Sequence, residues 1–320
     1  MRLAFTLVAL FLCESVFSQA QSYPAKPIRL IVSFAPGGSA DLVARAIAPR
    51  MGERLGQPVV VENRPGAGGN IGVDAVAKSA PDGQTIGLAA AGALSLNAVL
   101  YSSMPFDPEK DLAPVSMLAM IPFLLVASPS APFSYLREMI AAAKAKPGSL
   151  AYGHGGNASA MHLCGELLKM MAGIDVLAVP YKGSGPVAAD ILAGQVPLGV
   201  VDFPSALANL RAGKMKALAV TTSRRVAIAP EVPTFAEAGV PGYEAIGWFG
   251  AVARAGTPPQ IVDTLNSAIV AALAVPEIRE RMLAAGTEPA ASTPQEFAAF
   301  IRAETRKWGE VIRTAKIKVD

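Results

Sequence analysis

At 320 residues, with 52% hydrophobic and 17% charged side chains and a formal net charge of +3, the chain is long enough for two domains that each bury a core. So small a charge over this length, with no Lys/Arg cluster beyond Arg224-Arg225, excludes a nucleic-acid or anionic-membrane surface. The longest apolar run after the N-terminus, Leu112 to Ala127, is broken by Pro114 and Pro122 and fits buried strands rather than a bilayer span.

Residues 1–20 read as an export signal: Arg2 is a minimal charged start, Leu3 to Leu12 an apolar segment, and Ser18-Gln19-Ala20 a small-x-small cleavage site. The expected location is therefore periplasmic. Cleavage removes one basic and one acidic residue, so the balance stays +3, and it discards Cys13. Cys164 is then alone, which rules out an internal disulfide and reads as a small buried apolar side chain.

From Ile28 onward, short Val/Ile/Leu runs alternate with helical patterns, which predicts an α/β fold of mostly parallel sheets flanked by helices. The first unit is decisive. The strand Ile28 to Ser33 breaks at Pro36-Gly37-Gly38, and Ser39 opens a helix, Ala40 to Leu55. The first N–H groups of such a helix have no internal partner and carry the positive end of its dipole, so the turn suits a carboxylate or phosphate. Strands Val59 to Glu62, Thr85 to Ala89 and Val115 to Met120 follow, with a helix over Ile71 to Lys78.

A second series runs from strand Phe123 to Ala127 through strands Leu150 to Tyr152, Val176 to Pro180, Leu198 to Asp202 and Ala217 to Thr221. Helices Tyr135 to Lys144, Ala158 to Met171, Pro186 to Ala193 and Ser205 to Arg211 alternate with them. Ala229 to Gly247 is rich in Pro and Gly and reads as an ordered return loop. Beyond it only helices are predicted: Pro259 to Ala272, Glu277 to Ala284 and Thr293 to Thr314. The apolar stripe of the last, Phe297, Phe300, Ile301, Trp308 and Ile312, must cover something, which predicts packing back on the first sheet and a discontinuous first domain. Two crossings between domains would then act as a hinge.

Four further Gly-rich loops share the composition of the opening turn: Asn63 to Asn70, Ala89 to Ser95, Gly153 to Ser159 and Tyr181 to Pro186. All lie at the carboxyl ends of predicted strands, where ligands sit in open α/β sheets. No dinucleotide fingerprint is present, because Ile71 takes the place of the third glycine after Gly66-x-Gly68, and there is no phosphate-loop motif. The spacing His162-x-Cys164-x-Glu166 does not put metal ligands on one helix face, so neither metal nor cofactor is expected. His154-Gly155-Gly156 resembles part of an esterase oxyanion loop, yet no G-x-S-x-G elbow supplies a nucleophile. A secreted esterase with a triad around Ser159, His162 and Asp202 is the rival to pure binding. Asp41 is an acid beside an anion site, and could cap its helix, orient a water or meet a ligand ammonium.

The stretches Phe34 to Asp41, Val60 to Gly72, Pro81-Asp82-Gly83-Gln84-Thr85 and Val179-Pro180-Tyr181-Lys182-Gly183 resemble the Bug family, the extracytoplasmic solute-binding receptors of tripartite tricarboxylate transporters. The resemblance covers essentially the whole mature chain. It implies a two-lobed periplasmic-binding-protein (Venus flytrap, type II-like) fold, with lobe 1 at 21–121 plus 249–320 and lobe 2 at 122–248. It implies no catalysis, and a small carboxylate between the lobes: a di- or tricarboxylic acid, an aromatic acid or an acidic amino acid. Transferred by position, the first lobe's half of the site would be Phe34, Ala35, Gly38, Ser39 and Asp41, with Gly92, Ala93, Leu94 and Ser95 as one wall. Gly155, Asn157, Ser159, Tyr181 and Gly183 would face them, joined by Asp202 and Trp248. The implied partners are membrane transporter subunits, with a ligand-sensing partner as a further alternative and a monomer as the expected state. Arg64 and Lys182 are the cations near the loops that could meet a second anionic group.

Overall fold

A computed structural model describes residues 23–101 and 103–315; the export signal expected at residues 1–20 lies outside them. Strand β1 (Ile28–Val32) leads through α1 (Ser39–Leu55) to β2 (Val59–Asn63), and a 3-10 turn (Ala67–Gly69) opens α2 (Asn70–Ala77). After β3 (Thr85–Ala90), a π turn (Gly92–Leu96) and α3 (Asn97–Leu100) lead to β4 (Leu112–Ile121). Leu30, Ile31 and Val32 are all buried, because β1 lies inside the sheet with helices over it; Leu30 pairs in parallel with Val61 on one side and Ile86 on the other.

Only Pro122 separates β4 from β5 (Phe123–Ala127), which enters a second sheet. There follow α4 (Leu136–Ala145), β6 (Ala151–His154), α5 (Ala160–Ala172), β7 (Leu177–Pro180), α6 (Ser184–Leu192), β8 (Leu198–Asp202), α7 (Phe203–Arg211) and β9 (Lys216–Val220). This sheet has the order β7-β6-β8-β5-β9.

The chain then returns to the first sheet by a strand where only helices were expected. β10 (Gly247–Arg254) is inserted antiparallel between β3 and β4, and after α8 (Pro259–Ala274) and α9 (Pro276–Ala284) a short β11 (Glu288–Pro289) pairs with β4. The first sheet is therefore β11-β4-β10-β3-β1-β2, and both sheets are mixed, with β5 antiparallel to β8 and β9 in the second. Parallel pairing holds for β1 with β2 and β3, and for β6 with β7 and β8.

The final helix, α10 (Pro294–Ala315), lays its apolar stripe on the first sheet. Phe297 sits on Gly250 of β10, and Trp248 meets Phe297 and Phe300 edge-on at 5.8 and 5.2 Å. The two crossings between sheets lie side by side, since Gly247 pairs with Ile121. Thr221 stitches them: its N–H donates to Phe123 O (3.0 Å), its Oγ1 accepts from Phe123 N (3.0 Å), and its carbonyl accepts from Ala245 N (2.9 Å).

Candidate functional site

Between the two sheets, beside the crossings, is a small cavity of about 20 Å³. The first lobe contributes Phe34, Ala35, Gly38, Ala40 and Ala90; the crossings contribute Phe123, Gly247, Trp248 and Phe249. The second lobe contributes Ser159, Ala160 and Met161 at the start of α5, Ser184 at the start of α6, and Asp202 at the start of α7. Several helices thus aim their N-terminal ends at one space, because α5 and α6 follow their strands through Gly-containing turns and α7 follows β8 directly at Asp202.

Asp202 is the organising side chain. Buried to 3% exposure, it N-caps α7, with Oδ1 accepting from Ser205 N (3.2 Å) and Oγ (2.6 Å). Its Oδ2 crosses to the first lobe and accepts from Ser39 N (2.7 Å) and Oγ (2.6 Å), in the first turn of α1. One carboxylate therefore bridges the positive ends of two helices from different lobes. Its backbone N–H donates to Ser184 Oγ (2.9 Å), which ties in α6. A second direct link between lobes runs from Ala35 N to Lys182 O (3.0 Å).

The glycines of the loops meet at this seam. A Cβ on Gly68, already at φ +63°, would lie 2.1 Å from Asn157 O, and one on Gly92 would lie 2.8 Å from Ala158 O. Asn97, buried in the first lobe, can donate from its amide to Gly92 O and to Ala158 O of the second lobe, each at 3.2 Å. Beneath the loop, His162 Nδ1 accepts from Ala158 N (3.2 Å), and His154 Nδ1 lies 3.0 Å from Gly156 O. The two rings stack at 4.5 Å. Burial pushes His154 down to about 3 and lowers His162, so both rings are neutral near pH 7.

Of the residues expected at the site, Phe34, Ala35, Gly38, Ser159, Asp202 and Trp248 line the cavity, and Ser39 contacts it through Asp202. Others support it from behind. Gly155 lies under Met161, while Gly92, Asn157 and Gly183 form the seam; Ala93 packs beside Gly69. Leu94 and Ser95 line a different cleft, with Tyr101, Met104 and Phe106. Tyr181 turns to α6, where its hydroxyl donates to Asp190 (2.8 Å); burial and that carboxylate push it up to about 12. Asp41 is also turned away: Oδ1 accepts from Arg45 Nε (2.9 Å) and Asn63 Nδ2 (3.2 Å), and Oδ2 from Gly37 N (3.4 Å). Desolvation would raise its carboxyl, but the hydrogen bonds from Arg45 and Asn63 outweigh it and hold it below the usual range.

Sequence reasoning missed Ala40, Ala90, Phe123, Ala160, Met161, Gly247 and Phe249 on the cavity wall, and placed Ser184 only within a Gly-rich loop. A signal existed for part of this, since Trp248 to Ala253 is a continuous apolar run long enough for a strand. The Ser159, His162 and Asp202 set is not arranged as a triad. Ser159 Oγ accepts from the backbone N of His162 (3.2 Å), the His162 ring faces Ala158 N, and Asp202 is held by Ser39 and Ser205.

Two lobes, adjacent crossings and a cavity fed by helix N-termini define a protein of the periplasmic-binding-protein class. Residues 43–317 match the family described as "Tripartite tricarboxylate transporter family receptor", and the chain belongs to that family. It is 42% identical to protein BugT of Bordetella pertussis over 301 residues, 94% of this chain and 92% of that one. Among solved structures it resembles R. palustris Rpa4515 with adipate (38% identity, TM-score 0.89, covering 92% of this chain and 99% of that one). It also resembles MatC from Rhodopseudomonas palustris with bound malate (33% identity, TM-score 0.86, covering 91% and 100%).

Proposed function

We propose that this protein is a periplasmic receptor that holds a small carboxylic acid in the cavity between its lobes and delivers it to membrane subunits of a tripartite tricarboxylate-type transporter, without chemistry on the ligand. The observation that carries this reading is the convergence of helix N-termini on a mostly apolar cavity at the junction of the lobes. First-turn N–H groups lack partners within their helix. In α5 the Ser159 hydroxyl accepts from His162 N, which leaves the N–H groups of Ala160 and Met161, both cavity residues, to meet a ligand carboxylate. The adipate and malate held by the two relatives are of the same chemical class.

Delivery needs a conformational change. Contacts from both lobes to one ligand coexist only when the lobes are together, so ligand binding favours closure. Moving the open-to-closed ratio by two decades takes about 2.7 kcal/mol of differential affinity, within reach of two charge-assisted hydrogen bonds. A thermal-shift screen of the mature chain against aliphatic, aromatic and amino acids and against neutral sugars tests the reading. At least one carboxylate class should raise the melting temperature; a rise with a sugar and with no carboxylate would refute it.

A further inference from the structure

We infer that the ligand is a carboxylic acid with an apolar body and no second anionic group, and that Asp202 is the residue that sets this preference; the inference rests on the carboxylate-receptor reading above. The large side chains of the cavity wall are Phe34, Phe123, Met161, Trp248 and Phe249, with Ser159 and Ser184 adding two hydroxyls. The one nitrogen donor on these side chains, the Trp248 indole, is directed to Glu304 (3.2 Å) in α10. No Lys, Arg or His is among the described lining residues. The two cations that the loops offered for a second anionic group are otherwise placed: Arg64 Nε is 2.6 Å from Glu62, and Lys182 is exposed.

Among the described lining residues the one formal charge is that of Asp202, and it is negative. It is fixed there by Ser39 and Ser205, which between them donate four hydrogen bonds, so it cannot swing aside without leaving those donors unpaired. A second ligand carboxylate would lose its hydration with no cation in exchange, at short range from a like charge. An apolar body instead removes its own surface and that of the aromatic wall from water. Asp202 also fills the N-terminal ends of α1 and α7, so a ligand carboxylate is directed to the starts of α5 and α6. Discrimination here comes from a repulsive element as much as from an attractive one.

Calorimetric titration with hexanoate, adipate and hexanamide separates this inference from the reading beneath it, because the two acids share a chain length and differ in one carboxylate. Wild type should bind hexanoate at least about tenfold more tightly than adipate, and in Asp202→Asn adipate should tighten at least about tenfold more than hexanoate does. Asp202→Ser, which keeps an N-cap for α7, serves if Asp202→Asn does not fold. Adipate binding wild type as tightly as hexanoate would overturn the ligand class and leave the carboxylate receptor standing. An unchanged ratio in folded variants of Asp202 would remove its role as the determinant. If neither acid binds and the thermal-shift screen finds no other carboxylate ligand, or hexanamide binds as well as hexanoate, the receptor reading falls and takes the inference with it.

Discussion

Asp41 is best understood through its partners. In the first turn of α1 a bare carboxylate would compete with an anionic ligand, yet Arg45 one turn further along neutralises it, and Asn63 and Gly37 N orient it. Its work is to hold the turn. Asp41→Asn should therefore destabilise the protein by about 1 kcal/mol and weaken every carboxylate ligand alike. A selective loss for amino-acid ligands in a titration series would show instead that it meets an ammonium group. His154 makes a second prediction at this scale. Its folded value of about 3 lies below the ordinary 6.5, so between these limits the unfolded chain binds a proton that the folded one refuses, and stability falls as pH drops. This one group contributes about 1.4 kcal/mol per pH unit in that window. Chemical denaturation of wild type and His154→Gln at about pH 6.5 and about pH 5 should show a flatter dependence in the variant by that amount, and equal slopes would contradict the assignment.

Among the elements, β10 and α10 work as a pair. Gly250 leaves the space that the Phe297 ring fills: a Cβ there would sit 1.8 Å from Phe297 Cζ. Gly250→Ala should cost about 1–3 kcal/mol in denaturant unfolding, because neither the central strand nor the helix can give way cheaply. At the seam, Gly68→Ala would drive a Cβ into Asn157 O and should lower affinity for any ligand that needs closure by at least about tenfold, at a stability cost near 1 kcal/mol. Undiminished affinity in that variant would mean that the seam need not close. The strand-to-helix units and their Gly-rich turns were legible because each rests on local chemistry, a β-branched run, a glycine at positive φ and a helix start. β10 was not, because its run Gly247-Trp248-Phe249-Gly250-Ala251-Val252-Ala253 follows directly on a Pro/Gly loop and pairs with strands more than a hundred residues earlier in the chain. With it went Phe249 and Gly247 as wall residues. Glycines forecast the loops that meet, but no local pattern states which side chain of a loop turns inward. Tyr181 therefore turned out to serve Asp190, and Met161 and Ala160 were overlooked.

As a whole, the molecule is two sheets joined by two adjacent crossings, with polar links at the seam supplied by Asp202, Ala35 and Asn97. Hydrogen bonds that can break and re-form suit a joint that opens and closes, while the packed sheet on either side keeps each lobe rigid. The most direct test of a carboxylate-driven closure is the distance between lobes, read by resonance energy transfer between dyes on cysteines placed at the exposed positions Lys78 and Lys214. Cys164 does not interfere, since it is buried and its thiol is pushed up to about 12 by desolvation. A carboxylate found to bind should bring the dyes to a closer, saturable state, and its neutral amide should not. A transfer efficiency that no saturating carboxylate moves, or that the amide moves equally, would contradict the account.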